Sequence, residues 1–166
     1  MKNKPKKHKS ASSRKVVINA CFGGFSLSMA AVKRMAEIQG RPCYFFTHKF
    51  GGPETYVPYV AGERAFTWSA FDIPNPNEVL RYSKPWAEMT QEERIEANRL
   101  TDKHSIKERD VERDSPLLIQ VVEELGRAAD GEHAKLKIVK IPANVKWVID
   151  EYDGSETVQE QHRSWG

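Results

Sequence analysis

Cys21 stands between a β-branched run, Val16-Val17-Ile18, and the glycine pair Gly23-Gly24, with Ser26 and Ser28 just beyond. That order reads as a buried strand, a tight turn and a helix start. A thiol near a helix N-terminus has its thiolate favoured by the helix dipole, so Cys21 is a candidate nucleophile. Such chemistry also needs a base, and the fold would have to bring His48, His104, His133 or His162 to it. The plainer alternative is that Cys21 is a packing residue at the end of its strand.

The same junction suits an anionic ligand. Backbone N–H groups of a glycine-rich turn and a helix N-terminus gather at the carboxyl end of a strand, where α/β proteins commonly hold anions. The turn matches none of the sharp phosphate fingerprints. No lysine follows the glycines as in G-x-x-x-x-G-K-[ST], adjacent Gly23 and Gly24 do not fit G-x-G-x-x-G, and Leu27 stands where a Cys-x5-Arg loop needs arginine. The pair marks a place and names no ligand; its alternative is a tight turn that lets strand and helix approach.

Two other segments carry polar candidates. Arg113-Asp114 precedes the most apolar helical stretch, where a guanidinium and a helix N-terminus would hold an anion. Asp150-Glu151-Tyr152-Asp153-Gly154-Ser155-Glu156 is an acidic run, read either as a solvated turn or as carboxylates that pair with Arg113, Arg163 or a ligand base edge. The chain has no C-x-x-C, no H-E-x-x-H and no EF-hand loop, so no metal site and no cofactor is expected.

The elements that must position these residues follow from periodicity and punctuation. A first strand is expected over 16–21 and a helix over about 27–39, capped by Ser26 or Ser28 and stopped by Gly40 and Pro42. A second strand spans 43–46. The irregular stretch 47–65, with Tyr56 and Tyr59, reads as a functional loop. A third strand is expected over 66–73, followed by a short helix that Asn77 caps. Thr90 and Glu93 form a capping box for a charged helix over about 91–103. Ser115 and Pro116 open the helix whose stripe is Leu117, Leu118, Val121, Val122 and Leu125. Strands are expected over 135–141 and 145–150, the latter with Trp147 inward. Tyr152-Asp153-Gly154 breaks the last strand, and a short helix is expected over 155–163.

Composition bounds the class. Of 166 residues, 39% are hydrophobic and 30% charged, the balance of a water-exposed globular chain. No apolar run approaches the roughly 18 residues that span a bilayer, and the basic N-terminus lacks the apolar stretch of a signal peptide. Two cysteines, Cys21 and Cys43, predict reduced thiols in a cytoplasmic setting. Residues 1–15 hold seven basic residues and no acidic one, while the other 19 basic residues of the total of 26 face 23 acidic ones. The positive charge is therefore a tail, expected to be disordered and able to contact nucleic acid.

Four segments share wording with one group of proteins. Val17-Ile18-Asn19-Ala20-Cys21-Phe22-Gly23-Gly24-Phe25-Ser26-Leu27-Ser28 resembles the opening motif of a family of small proteins of tailed bacteriophages and prophages. The resemblance continues in Leu118-Ile119-Gln120-Val121-Val122-Glu123-Glu124-Leu125-Gly126, in the segment from Ile149 to Glu156, and in His162-Arg163-Ser164-Trp165. It implies a phage origin and brings no activity with it. The Lys-rich residues 1–15 read as an extension beyond the family pattern.

These readings predict an α/β fold, with mixed α+β as its variant. A basic tail over 1–15 precedes a single globular domain over 16–166, with a mixed sheet of about five strands, two main helices and a charged helical excursion at 85–114. The leading function is a phage accessory protein in the cytoplasm of the infected host. It would bind a small anionic, nucleotide-like ligand at the glycine junction and so sequester a host signalling molecule. The expected site comprises Asn19, Cys21, Gly23, Gly24 and Ser28 with Arg113, Asp114, Glu156 and His162. One alternative is a protein that binds nucleic acid or a host protein through its tail and the 85–114 segment. Another is an enzyme that uses Cys21 or His162.

Overall fold

A computed structural model describes residues 12–48, 56–62, 67–79, 86–108 and 110–161. In chain order the elements are β1 (Ser13–Asn19), α1 (Met29–Ile38), β2 (Tyr44–His48), β3 (Tyr56–Pro58), β4 (Ser69–Phe71), α2 (Pro76–Val79), α3 (Gln91–His104), α4 (Pro116–Leu125), β5 (Leu136–Pro142), β6 (Trp147–Tyr152) and β7 (Ser155–Glu160). Single 3-10 turns lie at Trp86–Glu88 and Gly126–Ala129. The mixture of helices and strands is the expected α/β class. The sheet is not: in place of one mixed sheet, the described strands form three small antiparallel sheets, β1-β5, β3-β2-β4 and β6-β7. The chain groups into two compact units. Met1–Ser26 with Glu112–Gly166 makes the first, and Leu27–Val111 the second.

In the first unit β1 and β5 run antiparallel from Ser13↔Pro142 to Asn19↔Leu136. Val16, Val17 and Ile18 are all buried, as a β-branched run suits. Strand β1 begins at Ser13, three residues before the expected strand start at 16. The physical reason is that the last basic residues have carboxylate partners: Lys15 bonds Glu123 on α4, and Arg14 lies 3.6 Å from Asp114. Helix α4 packs on β1 and β5 and buries Leu118, Val121 and Val122, with Pro116 at its first turn as expected. Ser115 occupies the cap position, but its side chain makes no capping bond.

The expected helix over 155–163 is replaced by strand β7, which pairs with β6 from Trp147↔Glu160 to Tyr152↔Ser155. Asp153 and Gly154, at φ 49° and 84°, form the two-residue turn between them. Positive φ at both central positions matches the right-handed twist of a hairpin, and Asp-Gly is its strongest signal.

In the second unit Ser28 caps α1, its side chain accepting from Ala31 N at 3.1 Å, and Gly40 in a left-handed conformation follows the helix end. Phe46 on β2, Tyr56 on β3 and Phe71 on β4 form the core, with Ile73 and Leu100 packed against it. Their rings meet edge to face, Tyr56 and Phe71 at 4.8 Å between centroids. Strand β3 lies within the stretch expected to be irregular. Asn77 does not cap a helix; its amide bonds both the N–H and the carbonyl of Tyr56 at 2.8 Å and so pins β3.

Helix α3 carries the expected capping box: Thr90 Oγ1 accepts from Glu93 N at 3.3 Å, and Glu93 accepts from Thr90 N at 2.7 Å. The helix is highly charged, and only Ala97 is buried. Its C-terminal end docks on β4 through Asp72 N to the His104 carbonyl and Ile106 N to the Ala70 carbonyl. Asp72 then accepts from Arg41 at 2.9 Å and sits 2.9 Å from His104 Nδ1. No helix among the described residues is long and apolar enough to cross a membrane.

Candidate functional site

Six of the expected site residues meet in the first unit. Asn19 ends β1 and is fully buried. Its amide donates to the carbonyls of Cys21 and Gly154, both at 2.7 Å, and its Oδ1 accepts from Lys135 N at 2.8 Å. Its backbone N–H donates to Glu156 Oε2 at 2.7 Å. Glu156, on β7, is 6% exposed and is gripped by Arg113 through two parallel bonds of 2.9 Å. The guanidinium also lies over the Phe25 ring, 3.2 Å from its centroid, and the Arg113 carbonyl accepts from Val17 N at 2.8 Å. A bidentate pair so enclosed fixes the planes of both side chains.

Cys21 Sγ lies 3.2 Å from Asn19 Oδ1 and 3.1 Å from the His133 carbonyl oxygen. Both neighbours are acceptors, so the geometry uses the thiol as a hydrogen-bond donor. His133 contributes backbone here, in contrast to the base that a nucleophilic cysteine needs. A β-carbon on Gly23 would stand 1.5 Å from that same His133 oxygen. One on Gly154 would stand 2.5 Å from Gly24 N. The glycine turn is thus closed over by backbone from two later segments. What the arrangement does chemically is satisfy buried polar groups from three distant stretches with one another.

The remaining expected residues are elsewhere. Asp114 turns to Arg14 and takes no part in the Arg113–Glu156 pair. Ser28 belongs to the second unit, where it caps α1. His162 lies outside the described residues. No cluster of three or more metal-ligating side chains occurs among the described residues.

The second unit contains an open cavity of about 360 Å³ that sequence reasoning missed. Ser69, Ala70 and Phe71 of β4 form one side, Tyr56 and Trp68 add aromatic surface, and Thr101, Ser105, Lys107, Glu108 and Asp110 supply the polar side. Ser105, one of the lining residues, has a buried hydroxyl without a hydrogen-bond partner among the described residues. Lys107 is held 2.7 Å from Asp102 and 3.9 Å from Asp110, and Glu108 accepts from Leu27 N at 3.0 Å. The aromatic, glycine-rich composition of 47–65 was the available sequence signal; of its two tyrosines, Tyr56 and Tyr59, only Tyr56 lines the cavity. Trp68 and Ser105 are brought there by the β4–α3 docking, which no local pattern announces.

Asp72, next in the chain to the lining residue Phe71, has its carboxylate engaged by Arg41 and His104. Burial works against its charge, but the hydrogen bonds from Arg41 and His104 outweigh it and hold the carboxyl below its ordinary range. Burial pushes the Cys43 thiol up, against the pull of Lys33 and Arg41.

Comparison of the chain with protein-family models, with curated proteins and with solved structures gives no match.

Proposed function

We propose that this chain is a small-ligand-binding accessory protein whose ligand, a flat nucleobase or nucleoside, occupies the cavity of the Leu27–Val111 unit. The observation that carries the reading is the pairing of an aromatic wall with an unpartnered buried hydroxyl, Tyr56, Trp68 and Phe71 with Ser105. A volume of about 360 Å³ falls in the range of small-molecule sites. Aromatic surface favours a planar ring, and a buried hydroxyl without a partner is a group that a ligand atom would satisfy.

The charge of the lining refines the ligand. Glu108 and Asp110 are acidic, and the ammonium of Lys107 is already engaged by carboxylates. An uncharged, donor-bearing heterocycle suits such a lining better than a phosphate. The reading therefore prefers this cavity to the Gly23-Gly24 junction, where backbone of Gly154 and His133 occupies the approach. The resemblance of four segments to proteins of tailed bacteriophages supports an action in an infected bacterial cell. Withdrawal of a host signalling compound needs a pocket and no catalytic constellation.

The test is ligand-observed NMR with a panel of nucleosides and their nucleotides, run on the native chain and on Ser69→Phe, which places a ring in the cavity. The expected result is saturation transfer to at least one nucleoside that Ser69→Phe abolishes, with the matching triphosphate weaker. Equal transfer in both proteins, or none to any compound of the panel, would overturn the reading.

A further inference from the structure

In the first unit a second recess, of about 420 Å³, lies where β1 begins and β6 begins. Among the described residues its lining includes Arg14, Asn144, Lys146, Trp147 and Gln161 and holds no carboxylate. Gln161 N donates to the Lys146 carbonyl at 2.8 Å, which fixes the floor beside the indole. Lys146 is exposed and makes no ion pair among the described residues. Arg14 has only a long pair with Asp114, at 3.6 Å, and its side chain is 44% exposed.

The Ser12 carbonyl accepts from Ala143 N at 2.9 Å, which fastens the chain just ahead of β1 to the wall of the recess, and in sequence Lys2, Lys4, Lys6, Lys7 and Lys9 precede it. Two cationic side chains, Arg14 and Lys146, beside a tryptophan are the ingredients of sequence-tolerant single-strand binding. Lysine and arginine neutralise phosphates with release of counterions, and an aromatic ring stacks an unpaired base.

We propose that the Arg14–Lys146–Trp147 recess binds single-stranded nucleic acid, with one base against Trp147 and the flanking phosphates at Arg14 and Lys146. The proposal is independent of the small-ligand cavity, which lies in the other unit. Duplex is disfavoured because its bases are already stacked and the recess is short.

Fluorescence anisotropy of a labelled oligo-dT at low salt, with the full chain, tests it. Trp147→Leu and Lys146→Glu should each weaken binding about tenfold or more, the cost of one stacked base or of a reversed charge. Lys137→Glu, at the opposite end of β5 with the same charge change, should have a much smaller effect. Lys146→Glu changes an exposed side chain, so it stays informative should Trp147→Leu fail to fold. An abasic oligomer should bind more weakly than oligo-dT. Overturning results are an equal loss in Lys137→Glu and Lys146→Glu, full competition by poly-glutamate, which would mark an acidic polypeptide as the partner, or no binding at all.

Discussion

Arg113 and Glu156, 43 residues apart, meet through two hydrogen bonds of 2.9 Å, and the same carboxylate accepts the backbone N–H of Asn19. One side chain thus ties together the end of β1, the approach to α4 and strand β7. Each of these belongs to one of the segments in which the sequence placed its site candidates.

Removal of the guanidinium strands that carboxylate. Arg113→Met should cost about 3–5 kcal/mol, the toll of leaving a buried charge unpaired. A double variant, Arg113→Met with Glu156→Met, should recover part of the loss. Urea unfolding midpoints at constant m-value measure both, and a single variant as stable as the native chain would show that the pair contributes nothing.

The two adjacent glycines should respond differently to a methyl group. Gly23→Ala drives a β-carbon into the His133 carbonyl and should destabilise by about 3 kcal/mol, at the upper end of overpacking costs. Gly24→Ala meets no atom within 4 Å, and its cost is the left-handed backbone alone, φ +80°, about 1 kcal/mol. Thermal melts of the two variants give the comparison directly.

Cys21→Ser retains a donor for Asn19 Oδ1 and the His133 carbonyl, so stability should change by about 1 kcal/mol or less. Asn19→Ala leaves Lys135 N and two carbonyls unpaired and should cost several-fold more, about 3 kcal/mol. Nucleoside binding in the other unit should survive Cys21→Ser. Its loss would revive a chemical role for the thiol.

Acid stability should depend on Asp72. Its folded pKa lies below the unfolded one, so the cluster with Arg41 and His104 contributes fully above the ordinary aspartate range. The contribution fades as pH falls through the depressed value. Asp72→Asn should therefore lower stability at neutral pH and flatten the acid limb, read from melting temperature between neutral and strongly acidic buffer. An unchanged acid limb would assign the acid sensitivity to other carboxylates.

Local chemistry was the legible part of this chain. The Thr90–Glu93 box, the Ser28 cap and Pro116 at the start of α4 each rest on residues within four positions of one another, and each stands where its pattern puts it. The β6–β7 hairpin was equally local, since Asp153-Gly154 is a hairpin turn, but read as a break it turned the following strand into a helix. Asn77 shows the opposite limit. Its sequence position fits a cap, whereas its partner, Tyr56, lies 21 residues earlier. The meeting of Asn19, Cys21, Arg113 and Glu156 was anticipated from three short segments. What those residues do there was not, because only the approach of His133 and Gly154 shows how little space is left around the glycines. The cavity with Ser105 depends wholly on how α3 docks to β4.

The first unit is made from both ends of the chain, with Leu27–Val111 set between them. During synthesis, the apolar residues Val16, Val17 and Ile18 emerge early, yet their strand partner is complete only when Pro142 has left the ribosome. The central unit has all its strands long before that. A nascent chain must therefore carry an unpaired, aggregation-prone strand through most of its translation.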